Sequence, residues 1–295
     1  MANLKEVRVR IMSVTSTQQI TKAMGMVSAA KLRKAQDAIV QLRPFAKKMR
    51  EVIENVSSSV DASSGGELSA VRPVNKVLFI AVTSNRGLCG AFNSNIIKAV
   101  IRNANENYAK QLSEGNVKVL CIGKKASDYF SKLPALFFER HDNVFNDLSF
   151  DNVAVIADKI MTEFKAGNFD KVVLVYNQFK NAAVQILQDN EQLLPLVAAA
   201  NAKAAKPASN DYIFEPNKEE MMLELMPKSI KVQLYKAVLD SNASEHGARM
   251  TAMNKATDNA GELLRELKLS YNKARQAAIT NEILEIVGGA EALNG

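Results

Sequence analysis

The sequence predicts an α/β chain: a central α/β domain held between N- and C-terminal helices that form a long antiparallel coiled coil. Three observations carry this. Apolar and small residues recur at alternating steps of three and four from Leu4 to Val56. The same repeat returns from Leu239 to Ala278. Between the two arms the period changes to short, continuous apolar runs of strand length. With 47% hydrophobic and 23% charged residues the composition is globular, which excludes a disordered or collagen-like chain.

The first arm spans residues 1–57. Its seam reads Leu4, Val7, Ile11, Val14, Gln18, Thr21, Gly25, Ser28, Leu32, Ala35, Ile39, Leu42, Ala46, Met49, Ile53 and Val56. A sustained 3.5-residue spacing is the mark of a left-handed coiled coil. Pro44 removes a helical hydrogen bond, so a kink is expected near Leu42. A helix of this length spans about 80 Å, more than a compact domain of this size needs. A Ser/Gly-rich linker follows at 57–73.

The central domain is placed at 74–216. Val77–Val82 is a continuous apolar run, as for a strand buried on both faces. Val117–Ile122 is a second and 171–176 a third. Residues 183–187 pair with the third across a Lys180-Asn181 turn. Helical stretches at 95–112, 124–132 and 152–166 alternate with these strands, which argues a Rossmann-like, mainly parallel sheet. Residues 198–210 form an Ala-rich low-complexity loop.

The second arm is placed at 218–290. Its seam is Leu239, Ala243, His246, Met250, Met253, Thr257, Ala260, Leu264, Leu267, Tyr271, Ala274 and Ala278, with no proline between Lys228 and Val287. If the arms pair end to end, Gly25, Ser28, Ala29 and Ala30 face Ala243, Gly247 and Ala248, small against small. The second arm is also expected to overshoot the first. The overshoot carries Ile279, Ile283, Leu284, Ile286 and Val287, spread around the helix rather than along one stripe.

Catalytic chemistry finds little support. The two cysteines, Cys89 and Cys121, exclude a disulfide framework and read as small buried hydrophobes. Two distant histidines, His141 and His246, do not make a metal centre. After the first strand, Gly87 and Gly90 supply only G-x-x-G, without the first glycine of the dinucleotide fingerprint. Gly123-Lys-Lys-Ala lacks the hydroxyl of a phosphate loop. No catalytic, cofactor-binding or metal-ligating residue is assigned. No apolar run approaches the roughly 20 residues of a membrane span. Charges near Met1 argue against a signal peptide.

Charge is uneven. Residues 1–56 hold eleven Lys/Arg against four acids, a surplus equal to the whole chain's +7. Such an arm suits nucleic acid, a membrane surface or acidic protein surfaces. The rival reading, a basic coiled-coil protein that binds nucleic acid, is weakened because the bases scatter around the helix and no aromatics interleave.

Four blocks in order carry a resemblance: ITKAMGMVSAAKL at 20–32, SNRGLCGAFN at 84–93, SEHGARMTAMNKATDN at 244–259 and YNKARQAAITNEI at 271–283. Together they resemble the γ subunits of bacterial F-type ATP synthases, over about residues 2–290. The resemblance implies a non-catalytic central rotor shaft that couples proton-driven rotation of a membrane c-ring to ATP synthesis or hydrolysis at the β subunits. It implies α, β and ε subunits and the c-ring as partners, no nucleic acid, and no cofactor. The implied location is peripheral, on the cytoplasmic face of the bacterial inner membrane, reached only through the c-ring. By the same resemblance Met24, Arg249, Arg275, Gln276, Thr280, Glu282 and Glu285 match positions that contact the α/β ring. Tyr212, Phe214 and Glu215 match the foot near the c-ring. Gly25 departs from the family pattern, where a larger residue is common. The chain also lacks the cysteine-bearing insertion of the chloroplast type, so no thiol switch is expected.

Overall fold

A computed structural model describes residues 4–57, 67–196 and 218–294. Helix α1 runs Leu4–Ser57 and continues through Pro44. Strand β1 (Val77–Val82), helices α2 (Phe92–Asn107) and α3 (Ala109–Ser113), strand β2 (Val117–Ile122), helix α4 (Lys124–Phe130) and strand β3 (Phe137–His141) follow. A 3-10 turn at Asp142–Phe145 leads to helix α5 (Phe150–Lys165), strands β4 (Lys171–Phe179) and β5 (Gln185–Leu194), and helix α6 (Lys218–Asn294). The Ala-rich segment 198–210 and most of the 57–73 linker lie outside the described residues.

The sheet order is β3-β2-β1-β4-β5. The first four strands are parallel and β5 is antiparallel to β4. Every residue of β1 is buried, because helices cover both faces of this middle strand. Val77, Phe79 and Ala81 pack with α2 and α4. Leu78, Ile80 and Val82 pack with α5 and with Ile230, Leu234, Ala237 and Val238 of α6. Those four α6 residues sit at helical spacing, so one stripe of α6 closes the core.

Three elements differ from the expectation. The helix expected at 95–112 breaks at Tyr108, which leaves helical geometry (φ −135°, ψ 33°). Its ring is buried edge-on against Phe79, 5.8 Å between centroids, so ring burial offsets the lost helical turn. Strand β3 was not expected. It is a short edge strand with charged Glu139 and Arg140 and no continuous apolar run. The hairpin partner of β4 starts at Gln185 rather than 183, because the Asn181 Oδ1 accepts from the backbone N–H of Ala183 (3.0 Å) and Val184 (2.7 Å) and holds both in the turn.

Two compact units make up the chain: Met1–Ala29 with Arg249–Gly295, and Ala30–Ala248. In the first unit α1 and α6 run antiparallel. Thr21 lies opposite Thr257, their hydroxyls 2.8 Å apart, while Gln18 lies against Thr257 and Gly261. The seam residues of both helices are the shielded ones; Val7, Gly25, Ser28, Met253, Ala260 and Leu264 are buried. The register differs from end-to-end pairing of small residues. Gly25 packs against Met253 and Asn254, whereas Gly247, in the other unit, packs against Ala182 of the β4–β5 turn.

Candidate subunit-contact surface

The seam explains its own polar middle. Thr257 Oγ1 donates to the Met253 carbonyl (2.8 Å) and Thr21 Oγ1 to that of Gln18 (3.0 Å), so the half-buried hydroxyls are satisfied. Outside the seam, the described Lys and Arg of α1 are exposed and lie around the helix rather than on one face.

The residues assigned by resemblance fall into different environments. Met24 is half-buried beside the seam. Arg249 is buried, only 7% exposed, and so is not an open surface cation in the isolated chain. Arg275, Gln276, Thr280, Glu282 and Glu285 are exposed. Thr280 Oγ1 donates to the Gln276 carbonyl (2.9 Å), an internal bond of the helix. Arg249 and Arg275 are separated by about 40 Å of α6, so the structure does not bring these residues together at one place. Tyr212, Phe214 and Glu215 lie outside the described residues.

Beyond Thr280 every α6 residue through Ala290 is exposed. Five of the large apolar side chains there, Ile279 and the four at 283, 284, 286 and 287, stand 47–71% exposed. Contrary to the expected spread around the helix, they share one arc of about 160°, with Asn281, Glu282 and Glu285 on the opposite side. An exposed apolar face of this size on a helix end calls for an apolar partner surface.

In the second unit the chemically suggestive position is the carboxyl end of the sheet. The strand order reverses between β1 and β4, and in open α/β sheets ligands bind in the crevice at that point. Here α6 fills it. Ser241 Oγ donates to the Val82 carbonyl at the end of β1 (3.3 Å), and Ser244 Oγ donates to the Asn177 carbonyl of β4 (2.9 Å). At Gly247 a Cβ would lie 3.0 Å from the Ala182 carbonyl oxygen, so the helix is pressed against the β4–β5 turn. Arg43 of α1 completes the arrangement: its Nη2 donates to the Phe179 carbonyl (2.8 Å) and to Asp240 of α6 (3.1 Å).

The turn after β1 is internally bonded. Asn93 Oδ1 accepts from the Ser84 backbone N–H (2.9 Å), and Ser84 Oγ donates to the Arg86 carbonyl (2.6 Å). After β2, Gly123 adopts φ +103° with Thr83 so close that a Cβ would fall 2.1 Å from its carbonyl oxygen. This glycine serves strand packing. Burial pushes the Cys121 thiol up to about 12, which leaves it protonated and inert. Burial likewise lowers the His141 imidazole, against the opposing pull of Glu139. A cavity of about 390 Å³ is lined by Arg43, Lys47 and Lys236 among others, but Arg43 is held by Asp240 and Lys47 lies 3.9 Å from Glu51. Among the described residues no group of three or more His, Cys, Asp or Glu is placed to hold a metal, and no helix is long and apolar enough to cross a membrane.

Sequence reasoning missed Arg43, Asp240, Ser241 and Ser244. The one signal was an isolated acid, Asp240, following the apolar run Ala237-Val-Leu.

A family model described as ATP synthase matches residues 3–293. The ATP synthase gamma chain of Flavobacterium johnsoniae is 59% identical over 295 residues, covering all of both chains. That of Chlorobaculum tepidum is 48% identical over 293 residues and 99% of each chain. Among solved structures, a chain from the central stalk and c-ring of the Tetrahymena thermophila mitochondrial ATP synthase is 30% identical with a TM-score of 0.58, covering 80% of this chain and 99% of that one. A rotor chain of the Euglena gracilis mitochondrial ATP synthase has a TM-score of 0.66 at 21% identity, covering 94% and 98%, and speaks for the fold alone. The chain belongs to the ATP synthase gamma-chain family.

Proposed function

We propose that this chain is the central rotor shaft of an F-type ATP synthase, turning inside a ring of α and β subunits and coupling c-ring rotation to ATP synthesis or hydrolysis at the β sites. The observation that carries this reading is the α6 tip. Its apolar residues form one broad exposed face, which calls for an apolar partner surface such as an enclosing ring supplies. Apolar contact without fixed hydrogen bonds lets the tip slide. Exposed Arg275 and Gln276 lie just below it on the same helix and supply polar contacts to the ring.

The shaft catalyses nothing itself. The crevice where a nucleotide would bind a sheet of this topology holds α6 instead. Thr280, Glu282 and Glu285 extend the upper contact. Met24 and Arg249 form a second one lower down. Tyr212, Phe214 and Glu215 contact the c-ring at the foot, and ε is a further partner. The arms take residues 1–57 and 218–290 and the central domain 74–216. The complex attaches peripherally at the cytoplasmic face of the inner membrane through the c-ring.

Reconstitution tests this. Complexes assembled from α, β, ε and the membrane sector, with and without this chain, are compared for ATP-driven proton pumping in inverted vesicles. Pumping should require the chain. Equal pumping without it, or ATP hydrolysis by the isolated chain, contradicts the proposal.

A further inference from the structure

We infer that the turn of α6 from Asp240 to Gly247, seated on the carboxyl ends of β1 and β4, is the grip that locks the central domain to the helix, so that load on one is transmitted to the other. The inference rests on the rotor reading and adds the residues that do the coupling inside this chain.

The geometry has features that core packing alone does not need. Ser241 and Ser244 are buried (1% and 0% exposed), and each donates across elements, to the Val82 and Asn177 carbonyls. Those carbonyls belong to the parallel strands β1 and β4, which are hydrogen-bonded neighbours and hard to displace separately. Hydrogen bonds fix direction, whereas apolar contacts permit a helix to roll or slide. The apolar stripe of Ile230, Leu234, Ala237 and Val238 holds α6 on the sheet, and the two serines fix its rotation.

Arg43 adds a second constraint. One nitrogen bonds both the Phe179 carbonyl and the Asp240 carboxylate, so α1, α6 and β4 meet at one atom. The Asp240 side chain is fully buried, while that of Arg43 is 44% exposed. Gly247 then brings the helix within van der Waals distance of Ala182. Three different constraints thus act within two turns of α6. The helix continues without interruption from there into the unit that bears Arg275 and the tip.

The test uses the full complex in inverted vesicles and reads protons pumped per ATP hydrolysed. The variants are Ser244→Ala and the triple S241A/S244A/D240N. Asp240→Asn keeps shape and an acceptor for Arg43. A control, Phe164→Leu, weakens the core beneath α5, away from the grip. Wild type must pump; if it does not, the rotor reading fails and this inference with it. If wild type pumps, the triple variant should lose at least about threefold in protons per ATP while assembling and hydrolysing ATP near the wild-type rate, with Ser244→Ala intermediate. Phe164→Leu should leave the ratio unchanged. The inference is overturned if both grip variants keep the wild-type ratio, or if they lose pumping only in proportion to lost assembly, as a merely destabilised chain would.

Discussion

At the scale of single residues, two helical glycines face opposite fates. Alanine at a helix interior gains about 1 kcal/mol over glycine. At Gly25 the nearest obstacle to a Cβ is Asn254 Oδ1 at 3.1 Å, the far end of an exposed side chain that can swing aside. Gly25→Ala should therefore raise stability by up to about 1 kcal/mol, read by urea unfolding. At Gly247 the obstacle is the Ala182 backbone carbonyl at 3.0 Å, which cannot move without the β4–β5 turn. Gly247→Ala should lower stability by about 1–3 kcal/mol despite the same propensity gain. Equal effects at both positions would refute the packing argument. Asp240 makes a pH-dependent prediction. Burial raises its carboxyl above the ordinary 3.8, and hydrogen bonding and charge from Arg43 only partly oppose this. Between 3.8 and the raised value the folded chain keeps a proton that the unfolded chain has lost. This stabilising contribution is fully present below 3.8 and fades as pH rises through the folded pKa. The stability of wild type relative to Asp240→Asn should accordingly decline as pH rises across that window. A difference that grows with pH instead would mean that the pairing with Arg43 outweighs burial.

At the scale of elements, the tip of α6 distinguishes an enclosed helix from a free one. Ile283 and Ile286 are 55% and 71% exposed in the isolated chain, so replacing either should barely alter its own folding. Within an apolar sleeve the cost is different. Ile283→Asp with Ile286→Asp buries unpaired charge, at about 2 kcal/mol or more per site, whereas alanine loses only apolar area. The aspartate pair should impair assembly with α and β subunits well beyond the alanine pair, while both leave the melting temperature of the free chain nearly unchanged. Co-purification yields and melting curves measure the two effects separately. Intact assembly with the aspartate pair means that the tip is not enclosed.

At the scale of the whole molecule, the sheet has the strand order of a nucleotide-binding fold, yet its crevice is filled by the chain's own C-terminal helix. The isolated chain should therefore show no saturable ATP or ADP binding by calorimetry up to millimolar nucleotide. Micromolar affinity, abolished by changing Gly87 or Gly90, would show that the turn after β1 is a phosphate site after all. The same topology explains why a chain with a sheet of this kind is built into a machine as a moving part: the ligand position has become an attachment for a helix.

Periodicity alone determined the two arms, because a 3.5-residue repeat needs no knowledge of what it packs against; each assigned seam position with described burial is shielded. Strands β1 and β2 were legible to the residue, since a strand buried on both faces is apolar throughout. Edge strand β3 was not, as its residues are half-exposed and carry charge. The register of the arms also escaped, because small residues pair equally well at several offsets and only the Thr21–Thr257 contact and the space beside Gly25 select one. The residues from Arg275 to Glu285 named by resemblance are exposed on one helix, where each side chain's surroundings are set by its own helix alone. The clasp of Arg43, Asp240, Ser241 and Ser244 was not legible. Arg43 and Asp240 are almost two hundred residues apart, and a buried serine looks like any other small residue until the carbonyl it must satisfy is in place.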